Sequence, residues 1–197
     1  MMIDKVKEFV KNAFKDKGDY GKMHIEHLFT AEKYVCKLYK HLTGKEAPEE
    51  LRIAALSHDI ERAFKEEHVY EKMYKSKSGF TDNNYREYHQ RRSAKIMYNF
   101  LKNNNYPENK IEKVCKLISK HEVGGDFESN ILNDADAMSF FLDSVVEHFI
   151  NEKTKVSSVE NVKKKIDHSY KRITNEEAKK MIYPLYKKAI EKLRKKK

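Results

Sequence analysis

Apolar residues recur along this chain at steps of three and four, the spacing of helices that bury one face. Val6, Phe9, Val10 and Phe14 predict a first helix over about 3–16, ending before Gly18. After a polar stretch from Asp16 to Lys22, Leu28, Ala31, Val35, Leu38 and Leu42 predict a second over about 23–42, with Gly44 as its C-terminal cap. Pro48, one position inside, and Glu49-Glu50 open a third, which carries Leu51, Ala54, Ala55 and Ile60. The pattern then dissolves. Lys65 to Asn84 is charged and irregular, the expected place for a lid over a site.

Beyond it the periodicity predicts helices over about 85–103, with Met97 and Leu101, and about 107–120, behind Pro107, with Ile111, Val114 and Leu117. Another runs over about 129–151, from Ile131 through Phe140 and Phe141 to Phe149, and two polar helices follow near 157–172 and 175–195. Strand-like alternation, internal repeats and a boundary between two cores are all missing. The expectation is a single all-α domain over 1–197, a compact helical bundle.

Composition narrows this further. Six glycines and three prolines are too few for a sandwich or barrel that turns every ten residues. Charged residues make up 37% and the mean hydropathy is −0.88, which leaves a modest core. The formal net charge of +10 favours anionic partners, phosphates first among them. The final run Arg194-Lys195-Lys196-Lys197 reads as a solvated tail. Cys36 and Cys115, each in an apolar helical pattern, read as core thiols in a reducing compartment. Without an apolar leader or a stretch of ~18 apolar residues, the expectation is a cytoplasmic protein that does not enter a membrane.

The histidines change the picture most. His58 and Asp59 are adjacent in the apolar third helix, where an ionised carboxylate needs compensation. His24 begins the second helix, His89 lies in the fourth and His121 ends the fifth, while Asp134 and Asp136 interrupt the apolar run Ile131 to Met138. Helices can bring such groups together at a bundle centre. Imidazole nitrogens with carboxylate oxygens suit a divalent first-row transition ion better than calcium. The lack of a CxxC pair argues against a closed structural zinc site. His41, His68, His148 and His168 have no motif context and read as structural.

His24, then His58-Asp59, then Asp136 resemble the H…HD…D pattern of the HD-domain superfamily of metal-dependent phosphohydrolases. Four segments carry the resemblance, over about 20–150: His24-Ile25-Glu26-His27-Leu28, Ala54-Ala55-Leu56-Ser57-His58-Asp59-Ile60, His89-Gln90-Arg91-Arg92-Ser93-Ala94 and Asp134-Ala135-Asp136-Ala137-Met138. The chain departs from the family in His27, where Arg is usual, in Glu61, where Gly is common, and in His121-Glu122, where many two-metal members have a His-His pair.

The resemblance implies an HD-type bundle with a metal site at its centre, one or two ions of Mn, Fe, Co, Ni or Zn, and a small phosphorylated substrate. His24, His58, Asp59 and Asp136 are then the expected metal ligands, with Asp134 and His27 behind them. His89 and His121 either hold a second ion bridged by Asp59 or face the phosphate. Arg62, on the helical face of Asp59, and Arg92 and Lys120, beside His89 and His121, are the expected phosphate contacts. The expected activity is hydrolysis of a nucleotide or other phosphometabolite by metal-activated water, with Asp59, Arg62, His89 and His121 at the chemistry. A mixed-valence di-iron oxygenase of the same superfamily is one alternative. A nucleic-acid-binding or sensor module with a structural metal is another, less favoured because no groove-reading motif appears.

Overall fold

A computed structural model of the chain describes residues 1–64 and 83–196. Among them are helices only: α1 (Met2–Phe14), α2 (Gly18–Thr43), α3 (Glu49–Ser57), a 3-10 turn (Ile60–Phe64), α4 (Asn83–Asn103), α5 (Glu108–Ile118), α6 (Phe127–Phe140), α7 (Asp143–Lys153), α8 (Val159–Lys171) and α9 (Glu176–Arg194). They form one compact bundle. The lid expected over Lys65 to Asn84 lies outside the described residues, except that Asn83 and Asn84 open α4.

Two helices are buried over most of their surface and form the centre of the bundle. In α3 every residue from Ile53 to Ser57 is buried, and in α6 every residue from Ile131 to Phe140. These two pack on each other, and α6 and the turn after α3 carry the most expensive ionisable residues of the sequence, Asp134 and Asp136 on the one and His58 and Asp59 on the other. α2 packs across both, α1 and α5 flank α3, and α4 lies on α5. α8 and α9 pair with each other and close over α6, while α7 bridges α2 and α9. Asp126 caps α6, its side chain accepting from Ser129 N at 2.9 Å. No helix among the described residues is long and apolar enough to cross a membrane.

Several boundaries differ from those the spacing predicts, each for a local reason. α2 begins at Gly18, so His24 sits well inside it. Its early turns are held against α1 because Gly21 has no side chain: a Cβ there would strike the Phe14 carbonyl. Pro48 and Pro107 stand just outside α3 and α5 with extended ψ of 146° and 135°, not inside them. α3 stops at Ser57, so His58 and Asp59 occupy a turn. The helix expected over about 129–151 is two helices: the chain becomes extended at Leu142, ψ 137°, and α7 restarts at Asp143. Neither Gly nor Pro marks that break. Gly44 does cap α2, in the left-handed conformation at φ 71°, its N–H bonded to Lys40 O.

Candidate metal centre and cavity

Six side chains converge between α3 and α6. His27 comes from α2, His58 and Asp59 from the turn after α3, His89 from α4, His121 from the turn after α5, and Asp136 from α6. Their donor atoms fall into three overlapping groups, each within 4.8 Å: His27/His58/Asp59, His58/His121/Asp136 and Asp59/His89/His121. Asp59 belongs to two of them.

The geometry is tightest at His27, His58 and Asp136. His58 Nε2 lies 3.2 Å from His27 Nε2 and 3.2 Å from Asp136 Oδ1, and His27 Nε2 lies 3.2 Å from the same oxygen. The outer nitrogens fix the tautomers. His58 Nδ1 is 2.9 Å from Ala55 O, a carbonyl that can only accept, so Nδ1 carries the proton. Ser139 Oγ donates to Asp136 O, which leaves it to accept from His27 Nδ1 at 2.9 Å. Three lone-pair-bearing atoms therefore face one another in a buried space, and only a shared cation, a proton or a metal ion, satisfies them. Ligands about 2.1 Å from one ion, at right angles or wider, lie about 3.0–3.4 Å apart, and these atoms fit that spacing. Outer hydrogen bonds of this kind are how proteins orient liganding imidazoles.

The second group is looser. His89 Nδ1 is 3.4 Å from Asp59 Oδ1, His89 Nε2 is 3.7 Å from Glu122 Oε1, and His121 Nε2 is 3.8 Å from Asp59 Oδ1. His121 Nδ1 donates to Ile118 O at 2.7 Å, which again turns Nε2 inward. Both nitrogens of fully buried His89 and Asp59 Oδ1 have no hydrogen-bond partner among the described residues.

The charges follow from this crowding. Burial pushes His89 down to about 3, helped by the Arg62 charge, and pushes His121 down to about 4, helped by His58, so both are neutral near pH 7. Burial opposes ionisation of Asp136, but Arg172 and His58 outweigh it and hold the carboxyl well below its usual range. Asp59 is held low against burial by Arg62 and the surrounding histidines, and Glu122 by Lys165 and Arg172. Burial also works against a charged His58, yet Asp136 and Asp59 raise it above its ordinary value. The field that attracts that proton attracts any cation.

A cavity of about 390 Å³ lies against the set. Asp59, Asp136, His24 and His27 line it. The cations Arg62, Lys153, Lys165 and Arg172 line it too, as do the apolar side chains of Met23, Phe140, Val145 and Phe149. Val145, His148, Phe149, Glu152 and Lys153, at steps of three and four, make α7 one wall.

Several expected roles move. His24 lines the cavity but joins none of the described ligand groups. It stacks on Phe14 with ring centroids 5.2 Å apart and meets the Tyr20 ring edge-on at 4.4 Å, one turn from where α2 faces α6. His27, expected behind it, takes the inner position. Asp134, expected behind the ligands, turns its oxygens to the turn before α9, where they accept from Thr174 N at 2.7 Å and Asn175 N at 2.8 Å.

Arg62 lines the cavity, 3.6 Å from Asp59 Oδ2 and 3.1 Å from Glu61 Oε1. Arg92 and Lys120 do not line it. Arg92 donates to the Phe64 carbonyl at 2.6 Å and so caps the 3-10 turn, while Lys120, in the turn after α5, points to Asp126 at 3.9 Å. His148, expected to be structural, lines the cavity. Lys153, Lys165 and Arg172 carried no sequence signal, since each stands in a lysine-rich stretch of the chain. The one available hint was the mixed stripe of α7.

A family profile described as "Domain of unknown function (DUF4202)" matches residues 11–193. The chain belongs to that family. The DUF4202 match takes in all six converging residues and also α8, Arg172 and most of α9, so the family unit is wider than the 20–150 core that the HD resemblance covers. No curated protein and no solved structure matches the chain.

Proposed function

We propose that this DUF4202 chain is a divalent-metal-dependent phosphohydrolase of the HD type, acting on a small phosphate ester such as a nucleotide. One observation carries the reading: a buried set of imidazole and carboxylate donors, spaced as ligands of one ion are spaced, abuts a cavity lined by four cationic side chains. His27, His58, Asp59 and Asp136 would hold the first ion, and His89 and His121, with Asp59 shared, a second. When bound, such an ion supplies Lewis acidity toward a phosphoryl oxygen and a water of lowered pKa.

The chain's own residues do the rest. Arg62, Lys153, Lys165 and Arg172 offset the charge of a phosphate dianion and of the charge that develops on it. Met23, Phe140 and Phe149 offer apolar surface to the organic part of the ester. His24, whose Nδ1 has no hydrogen-bond partner among the described residues, presents a neutral imidazole at the cavity edge for one hydrogen bond to substrate.

The test is phosphate release from a panel of nucleotides and phosphomonoesters by protein loaded with Mn, Co, Ni, Mg or Fe. Turnover with at least one ion, lost in His58→Ala, is the expected result. No turnover with any ion, in protein shown to be loaded, overturns the reading. A second reading, a mixed-valence di-iron oxygenase, draws on Asp59 standing in two of the three donor groups. Fewer than two irons per chain after anaerobic purification removes it.

A further inference from the structure

We propose that Arg172 is a positioning residue: the turn between α8 and α9, clamped by Asn133 and Asp134, carries its guanidinium to Asp136 and fixes the carboxylate that faces the His27–His58 pair. This rests on the metal centre proposed above. The turn is held far more firmly than a surface connection needs. Asn133 Nδ2 donates to Arg172 O at 2.8 Å, and Arg172 Nη1 donates back to Asn133 Oδ1 at 3.1 Å. Asp134 accepts from two successive backbone N–H groups, of Thr174 and Asn175, and from the Thr174 hydroxyl at 3.0 Å. Ile173 is 1% exposed, and Asn175 Oδ1 caps α9 by accepting from Ala178 N at 2.9 Å.

Two neighbouring α6 residues thus spend their polar atoms on one turn, and the next but one, Asp136, receives what the turn delivers. The Arg172 side chain is nine-tenths buried. Its Nη2 donates to Asp136 Oδ2, leaving Oδ1 to His27 and His58. The two carboxylate oxygens are divided between a guanidinium and the imidazole pair. A terminal carboxylate torsion is soft, so without the guanidinium nothing on the α8 side would hold that division. A charge alone does not reproduce it, because the fork reaches Asn133 through Nη1 and Asp136 through Nη2 at once.

The experiment measures Co(II) affinity of the full-length protein by competition with a chromophoric chelator, together with the visible spectrum of bound Co(II). Arg172→Lys and Asp134→Asn are each expected to weaken the tighter site roughly 10–100-fold, the range for loss of a partner behind a ligand. They should alter the Co(II) spectrum while far-UV circular dichroism matches wild type. Arg92→Lys, outside the cavity, should change neither. Wild-type affinity and spectrum in folded Arg172→Lys overturns the inference and leaves the metal centre standing. No Co(II) binding by the wild type overturns both. Should Arg172→Lys or Asp134→Asn fail to fold, Thr174→Ala, which removes one donor to Asp134 at an exposed position, decides it: weaker Co(II) binding supports the clamp, and unchanged binding overturns it.

Discussion

His24 and His27 sit three residues apart on one helix face, and only one of them meets His58. A motif written along the chain names an order of residue types, and both histidines satisfy it. The choice depends on which turn of α2 lies opposite Asp136 and Ser139, which is tertiary information. His27→Ala should weaken metal binding by at least the roughly 10–100-fold that follows loss of a partner behind a ligand, while His24→Ala should leave affinity near wild type. Isothermal titration of both variants with Mn(II) checks this, and equal losses would reject the assignment. His58, Asp59 and Asp136 were legible because ionisable residues inside apolar runs need a compensating partner. Arg172 was not, since a buried arginine and a solvated one look alike in a lysine-rich stretch.

Asp126 is a simpler residue-scale case. Its hydrogen bond from the Ser129 backbone, together with Lys116, holds its carboxyl down to about 2 from an ordinary 3.8. Its folded value is depressed, so its contribution is complete above the ordinary value and is lost as pH falls through about 2. Asp126→Ala should lower stability by about 1 kcal/mol at pH 7. Urea unfolding should show the difference from wild type shrinking as pH drops below 4. A difference that grows on acidification would refute the cap.

Element by element, the periodicity located the helices well where caps punctuate them. Gly44 is one such cap, and at φ 71° with open space around its Cα only the backbone resists a side chain. Gly44→Ala should therefore lower the unfolding free energy by about 1 kcal/mol without altering the proposed metal centre. Thermal unfolding with and without metal separates these two effects. The helix expected over 129–151 was misread because its apolar spacing runs unbroken through Phe141, while the interruption at Leu142 is set by packing: Phe141 is fully buried, and Asp143 opens a new first turn. The ends of α3 and α5 were blurred for a related reason. His58, Asp59 and His121 continue the sequence pattern but lie in the turns that follow the two helices.

For the molecule as a whole, the all-helical class was plain from spacing and from the scarcity of glycine and proline, but the extent of the working unit was not. The HD resemblance stops near residue 150, whereas the cavity takes Lys165, Ser169 and Arg172 from beyond it. Val162, Ile166, Ile173, Ala178, Ile182, Ala189 and Leu193 are buried in the same core, so the polar look of the final helices reflects only their outer faces. A chain ending at Val156 should lose cooperative unfolding and metal affinity together, since it uncovers α6 and removes the partner of Asp136. Size-exclusion chromatography and differential scanning calorimetry test this, and a monomeric truncation with a sharp transition would show an autonomous smaller core.

The interruption at Leu142 has an evolutionary reach. It makes α7 a short separate panel, joined to its neighbours through connections rather than through a continuous rod, and the panel supplies no candidate ligand. Substitutions at His148, Phe149, Glu152 or Lys153 can recontour what the enclosure admits without disturbing the groups that would capture the ion. On the function proposed above, recognition and reactivity would be separable traits in this architecture, and relatives that differ mainly along this panel would act on different compounds with the same donor set.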